Sequence, residues 1–232
     1  MRALMYADWT VLRRTFLRYL LVTLFVMTPI VAMGSGDGEV AAGTAVATLS
    51  VTMMSVYMAI SLFGFDETNG WEQFRLTLPT SARQVVRSRY ALAALMVAGT
   101  VVLGTALGML IQWIIPLLHG TVAAPRESVI IVLTSLGTAL VVIAFLAIEM
   151  PIVFKLGISK ARMAFTVPFL LCLLINVEPV RNAIIPVLES LEAFARSLGS
   201  PAPLFAGAAV IVALLYLGSM RVSESIYAAR DF

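Results

Sequence analysis

Long apolar blocks separated by short charged connectors leave this chain few folds. The blocks lie near Leu17 to Met33, Val40 to Phe65, Tyr90 to Leu118, Ser128 to Ile148, Ile158 to Val177 and Leu204 to Met220. A bilayer core of about 30 Å takes roughly 20 apolar residues of helix, and hydrocarbon tolerates only backbone that satisfies its own hydrogen bonds. The rest of the composition agrees: of 232 residues, 60% are hydrophobic and 12% charged, against roughly 25% charged in soluble domains. The mean hydropathy is +0.97. The expected architecture is an all-α integral membrane protein of six transmembrane helices forming one domain over residues 1–232. The fifth block is the shortest, with a continuous apolar part that begins at Met163 and holds Pro168. It is expected to cross fully or to be tilted, kinked or re-entrant.

Orientation follows from the connectors, because translocation disfavours Lys and Arg. With the N-terminus inside, thirteen of the sixteen basic residues are cytoplasmic, and Arg126, Arg181 and Arg196 remain outside. Both termini are therefore expected in the cytoplasm. Basic residues, an apolar stretch and then Gly34-Ser35-Gly36 have the outline of a secretory signal. The basic region is too long for one and further spanning blocks follow, so the segment is expected to be retained.

Two amphipathic pieces accompany the spans. Met5, Trp9, Leu12, Phe16 and Leu20 recur at helical spacing while Arg14 and Arg18 mark another side, which predicts an N-terminal helix on the inner membrane surface. The alternative is a first span that starts early. In the connector from Glu178 to Pro203, Leu188, Leu191, Ala195 and Leu198 oppose Glu189, Glu192 and Arg196, predicting a short extracellular helix before the last span.

Catalytic signatures are missing. One cysteine, Cys172, and one histidine, His119, exclude an intrachain disulfide, a Cys-x-x-Cys site and a His-Glu-x-x-His pair. No phosphate-binding Gly-x-x-x-x-Gly-Lys-Ser/Thr loop and no Gly-x-Ser-x-Gly elbow occur. Glu149 is the one acidic residue close to a span interior. At the expected inner end of the fourth span it is placed to reach water or Lys155, a structural rather than catalytic position. The basic residues cluster at the ends of apolar runs, so a net charge of +3 reflects topology and not nucleic-acid binding.

The connector from Asp66 to Arg89 is too polar to span, yet it carries Trp71, Phe74, Leu76 and Leu78. Ser81 followed by Gln84 after Pro79 predicts a capping box, with a helix starting near Ala82 and running into the third span. Two readings stay open on physical grounds: an interfacial elbow resting on anionic lipid, or a docking surface for a cytoplasmic partner.

The run DETNGWEQFRLTLPTSARQVVRSRY resembles the coupling loop between spans two and three of bacterial type-2 ABC exporter permeases. Ala82 stands where that pattern often continues directly into arginine. The stretch from Pro151 to Arg162 is similar to that group's second cytoplasmic loop, and the stretch from Tyr227 to Phe232 to its chain end. The resemblance implies docking on a separate cytoplasmic ABC ATPase subunit through Asp66, Glu67, Trp71, Glu72, Phe74, Leu76, Leu78, Pro79 and Arg83. It also implies that ATP and Mg are bound by that partner, with no cofactor in this chain. Six spans are few for a whole pathway, so a second permease copy, as a homodimer or a similar chain, is expected.

Within the membrane, Thr44, Thr48, Thr52 and Ser55 share a face of the second span with Met54 and Met58 nearby, and Thr100, Gly104, Gly108 and Gln112 share one on the third. Such stripes serve close helix packing or line a substrate pathway. No buried charge pair or acidic ladder is evident in a span, which argues against an ion-coupled pump. The pathway candidates suit an amphipathic peptide or lipophilic substrate, and the resemblance is to exporters of amphipathic peptides such as the phenol-soluble modulins. A membrane scaffold or immunity protein that recruits a partner without transport is the alternative reading.

Overall fold

A computed structural model describes residues 2–32, 37–71, 81–119, 125–158, 160–161 and 200–229, together with the single positions 182, 186, 190 and 197. Five helices are defined: α1 (Arg2–Ala32), α2 (Asp37–Asn69), α3 (Ala82–His119), α4 (Pro125–Leu156) and α5 (Ala202–Ala228). The expected fifth span beyond residue 161 and the expected helix around Leu188 to Leu198 lie outside the described residues. Among the described residues, three stretches are long and apolar enough to cross a membrane, Ala82–Ile114, Ser128–Leu156 and Ala202–Ala228.

The helices are longer than a bilayer requires, and that surplus places the candidate site. The 38 residues of α3 extend about 57 Å at about 1.5 Å each, well past a hydrocarbon core of about 30 Å. Its first turns, which carry Arg83, Arg87 and Arg89, are the polar end of the helix. They begin where the capping box was expected: the Gln84 N–H donates to Ser81 Oγ at 3.3 Å, and the Ser81 N–H to Gln84 Oε1 at 3.3 Å.

Helices α2, α3 and α4 pack on one another, α1 lies on α2 and α3, and α5 lies on α4 and α3. Between α2, α3 and α4 the core holds Val86, Tyr90, Val97, Val142, Leu146 and Met150. Across a bilayer there is little hydrophobic drive between helices, and α5 shows what replaces it. Val210, Ile211, Leu214, Leu215 and Leu217 are exposed, as lipid-facing residues are. The opposite face hydrogen-bonds: Tyr216 donates to the Tyr90 carbonyl at 2.7 Å, and the Tyr90 hydroxyl meets Ser219 Oγ at 2.8 Å and Ser223 Oγ at 2.7 Å.

The N-terminal segment departs from a helix set apart on the membrane surface. α1 is continuous from Arg2 to Ala32, as in a span that starts early. From Leu12 on, its apolar stripe has protein to cover it: Leu12 is fully buried, and Phe16 and Leu20 pack with it against Met54, Met58 and Leu62 of α2 and Leu92 and Met96 of α3. Further along, Tyr19 donates to the Tyr57 hydroxyl at 2.8 Å.

α4 also exceeds its expected end at Ile148, running through Pro151 to Leu156. That extension corrects the reading of Glu149, which is not at a wet helix end. It is 2% exposed, with no hydrogen-bond partner at Oε2 among the described residues, while Lys155 is exposed. It shares a buried face of α4 with Ser135, Thr138, Val142, Leu146 and Val153.

Candidate functional site

The start of α1, the end of α2, the start of α3 and the ends of α4 and α5 meet at one end of the bundle. The acidic pair Asp66 and Glu67 explains part of why they meet. Both sit in the last turns of α2, where the helix dipole disfavours negative charge, and each finds a positive partner on another segment. Asp66 pairs with Arg89 of α3. Glu67 Oε2 accepts the backbone N–H of Ile158 at 3.0 Å.

Arg89 is the centre of this end. Its side chain is 1% exposed, yet Asp8 Oδ2 of α1 lies 3.3 Å from its Nε on one side and Asp66 on the other. Phe63 lies beneath, its ring centroid 4.8 Å from the guanidinium carbon. A buried arginine is tolerable only when paired, and here two helices supply the carboxylates. Asp8 is itself 4% exposed.

The Ile158 N–H is available to Glu67 because α4 has just ended. Gly157 adopts φ +73°, the left-handed conformation common at helix C-termini, with its N–H on the Val153 carbonyl at 2.9 Å. Beside it is a cavity of about 180 Å³ lined by Phe63, Asp66, Glu67, Arg89, Gly157 and Tyr227 among others. At the rim, past the apolar run of α5, Glu224 accepts from Arg87 Nε at 2.6 Å, and that contact holds its carboxyl below the ordinary range.

All three segments singled out in the sequence thus share this end: Asp66 and Glu67 from the first, Gly157 and Ile158 from the second, Tyr227 from the third. Within the first, Asp66 and Glu67 contact other parts of the same chain. Trp71 is 48% exposed just past Gly70, whose φ of +66° ends α2. Arg83 is exposed on the first turn of α3. Glu72, Phe74, Leu76, Leu78 and Pro79 lie outside the described residues.

Asp8 and Arg89 were not among the expected site residues, and the buried pair they form lies just before the expected first and third spans, outside the segments in which no charge pair was expected. The available signal was an acid on an apolar face, since Asp8 follows Met5 by three and precedes Leu12 by four. Thr52, Ser55, Met54, Met58 and Gln112 are all buried in helix packing, and neither this cavity nor the larger apolar groove beside α1 is lined by them, whereas Thr100 of the α3 stripe lines that groove. Ser55 donates to the Thr52 carbonyl at 2.6 Å, and Gln112 Oε1 accepts from Ser128 Oγ at 3.1 Å. The side chains of Thr44 and Thr48 lie outside the described residues.

No curated protein and no solved structure matches this chain. Residues 3–228 match the model of a family described as ABC-2 family transporter protein. Such permease components are generally non-catalytic and work with an ABC ATPase subunit in a lipid membrane. With a match over almost its full length and several long apolar helices, the chain is a multi-pass protein of the plasma membrane that belongs to the ABC-2 transporter family.

Proposed function

We propose that this chain is the permease subunit of an ATP-driven exporter, carrying hydrophobic or amphipathic substrates, peptides or toxins among them, out of the cell. A separate ATPase binds ATP and Mg, and two permease copies, most simply a homodimer, form the pathway. In this reading six spans place both termini in the cytoplasm, and the bundle end around Arg89 faces the ATPase.

One observation carries the reading: the 66–89 connector is hydrogen-bonded to the segment after α4 through Glu67 and Ile158. A partner that moved the connector would therefore move the ends of α2, α3 and α4 together. Trp71 and Arg83 are exposed for such a partner, with Glu72, Phe74, Leu76, Leu78 and Pro79 completing the docking segment between them. α3, helical without a break from Ala82 to His119, is a lever that carries displacement into the membrane. A ligand-driven change of this kind requires contacts that differ between two states, and ATP-dependent closure of the ATPase supplies them.

Substrate contact is assigned to Thr44, Thr48, Thr52, Ser55, Met54, Met58 and Gln112, reached in a state where α2 separates from its neighbours. The test is co-purification with the ATPase encoded alongside, followed by ATP hydrolysis in liposomes with and without amphipathic helical peptides. The reading expects association that weakens when Trp71 and Phe74 are replaced by alanine, and hydrolysis stimulated by peptide. Association and hydrolysis untouched by those substitutions would overturn it.

A further inference from the structure

Asp8 brings the N-terminal helix into a cluster that transport through the connector does not by itself require. The packing around it is uneven. From Leu12 onward α1 is seated on α2 and α3 through Leu12, Phe16 and Leu20. On the side of α1 that carries Met5, Tyr6, Trp9 and Phe16, an apolar groove of about 570 Å³ lies between it and α3, whose wall runs from Leu92 and Leu95 to Thr100 and Leu103. At that level Asp8 Oδ2 lies 3.3 Å from Arg89 Nε, an ion pair almost wholly out of water but without hydrogen-bond geometry between those two atoms.

We propose that Arg89 is a positioning residue for transport: holding Asp8 and Asp66 at once, it makes the first two turns of α1 swing with the connector, using the groove as the space for that movement. This rests on the reading of the connector as the ATPase contact. The physical basis is a contrast in stiffness. Apolar contacts are non-directional, so a helix can shift against them at little cost. Separating a buried charge from its partner is strongly unfavourable. When the ATPase displaces Asp66, Arg89 follows, and Asp8 follows Arg89. α1 then pivots about the packed stretch at Leu12 and Phe16, and the groove changes width.

The test measures groove width directly. Tyr6→Cys and Leu95→Cys place thiols on its two walls, at positions that are exposed, in a chain whose native thiol is removed by Cys172→Ser. The permease with its ATPase, in lipid nanodiscs, is treated with a short bifunctional thiol reagent, without nucleotide and with ATP and vanadate. The expected result is a severalfold difference in cross-linking rate between the two conditions. That difference should disappear in Asp8→Asn and in Arg89→Gln, and return in part in Arg89→Lys. Asp8→Asn keeps the shape of the side chain and leaves the Leu12 packing in place, so a folded variant is available even if Arg89→Gln is not. A rate indifferent to nucleotide, or a nucleotide effect of the same size in Asp8→Asn, overturns the proposal while ATPase association stands. Failure of the unsubstituted chain to associate with the ATPase at all would instead defeat the parent reading.

Discussion

Ser219 of α5 donates its hydroxyl hydrogen bond to the carbonyl of Ala147, the carbonyl that Pro151 leaves without its helical donor. A proline inside a helix lacks the N–H that would bond to the residue four earlier, and in a membrane a neighbouring serine is a recognised way to satisfy the freed group. The arrangement lets α4 continue to Leu156 and fixes α5 against it. Ser219→Ala should lower stability by about 1 kcal/mol, within the range seen for hydrogen bonds between membrane helices, about 0.6 on average. Pro151→Ala restores the N–H, so adding it should remove most of the loss caused by Ser219→Ala. Unfolding of the two single variants and the double variant, analysed as a cycle, checks the coupling. Additive effects would mean that the serine does not answer the proline.

Gly157 permits a second junction. Its φ of +73° suits glycine, and a side chain there adopts the left-handed conformation at a cost of about 1–2 kcal/mol. A methyl group at this position would sit 3.7 Å from Glu67 Oε2, an ordinary contact, so the cost is one of backbone and not of crowding. Gly157→Ala should therefore destabilise the chain, and Gly157→Asn should do so less, since asparagine tolerates this conformation better. If the strained variant relaxes by shifting Ile158, the Glu67 contact is lost with it. Thermal unfolding of both variants, with Glu67→Gln as the comparison, separates strain alone from strain plus a lost acceptor.

Glu149 is the reverse case, a buried carboxyl: it is 2% exposed, and its Oε2 has no hydrogen-bond partner among the described residues. Burying a carboxylate without a partner is costly, and removing the charge while keeping the shape removes most of that cost. Glu149→Gln is expected to leave the fold intact and to raise the unfolding temperature. A marked fall in stability would show that the ionised carboxylate has a cationic partner in the membrane.

What the sequence revealed and what it concealed follow from the range of the interactions. Ser81 and Gln84 lie three apart, so the capping box and the start of α3 could be read locally. The charge partners could not. Asp66 and Arg89 are 23 positions apart, Asp8 is further still, and the acceptor role of Glu67 depends on a backbone N–H in another segment. Arg89 also stands with Arg83 and Arg87 on what reads as the basic start of a helix entering the membrane, and its burial exists only once α1 and α2 have packed. Glu149 was misplaced for a related reason. The apolar block was expected to end at Ile148, before Glu149 and Pro151, and the hydroxyl that lets the helix continue past Pro151 comes from Ser219, far along the chain. The polar stripes of α2 and α3 were legible as faces, but Thr52, Ser55 and Gln112 face neighbouring helices of the same chain.

The acidic and aromatic members of the connector can be separated by experiment, because they sit in different surroundings. Asp66 and Glu67 tie α2 to α3 and to the segment after α4; Trp71, which also has a contact within the chain, and Arg83 present exposed side chains. Asp66→Asn removes one carboxylate from a buried arginine, and breaking such a pair costs about 3–5 kcal/mol, an upper value here because Asp8 remains beside Arg89. Its main signature should be lower stability of the isolated permease, with weaker ATPase binding as a consequence. Trp71→Ala and Arg83→Ala should behave oppositely, leaving unfolding of the isolated chain nearly unchanged, within about 0.5 kcal/mol, while ATPase association falls. Measuring unfolding and association on the same preparations distinguishes the two patterns. If Trp71→Ala destabilised the isolated permease as much as Asp66→Asn does, the tryptophan would be part of the fold and not of the docking surface.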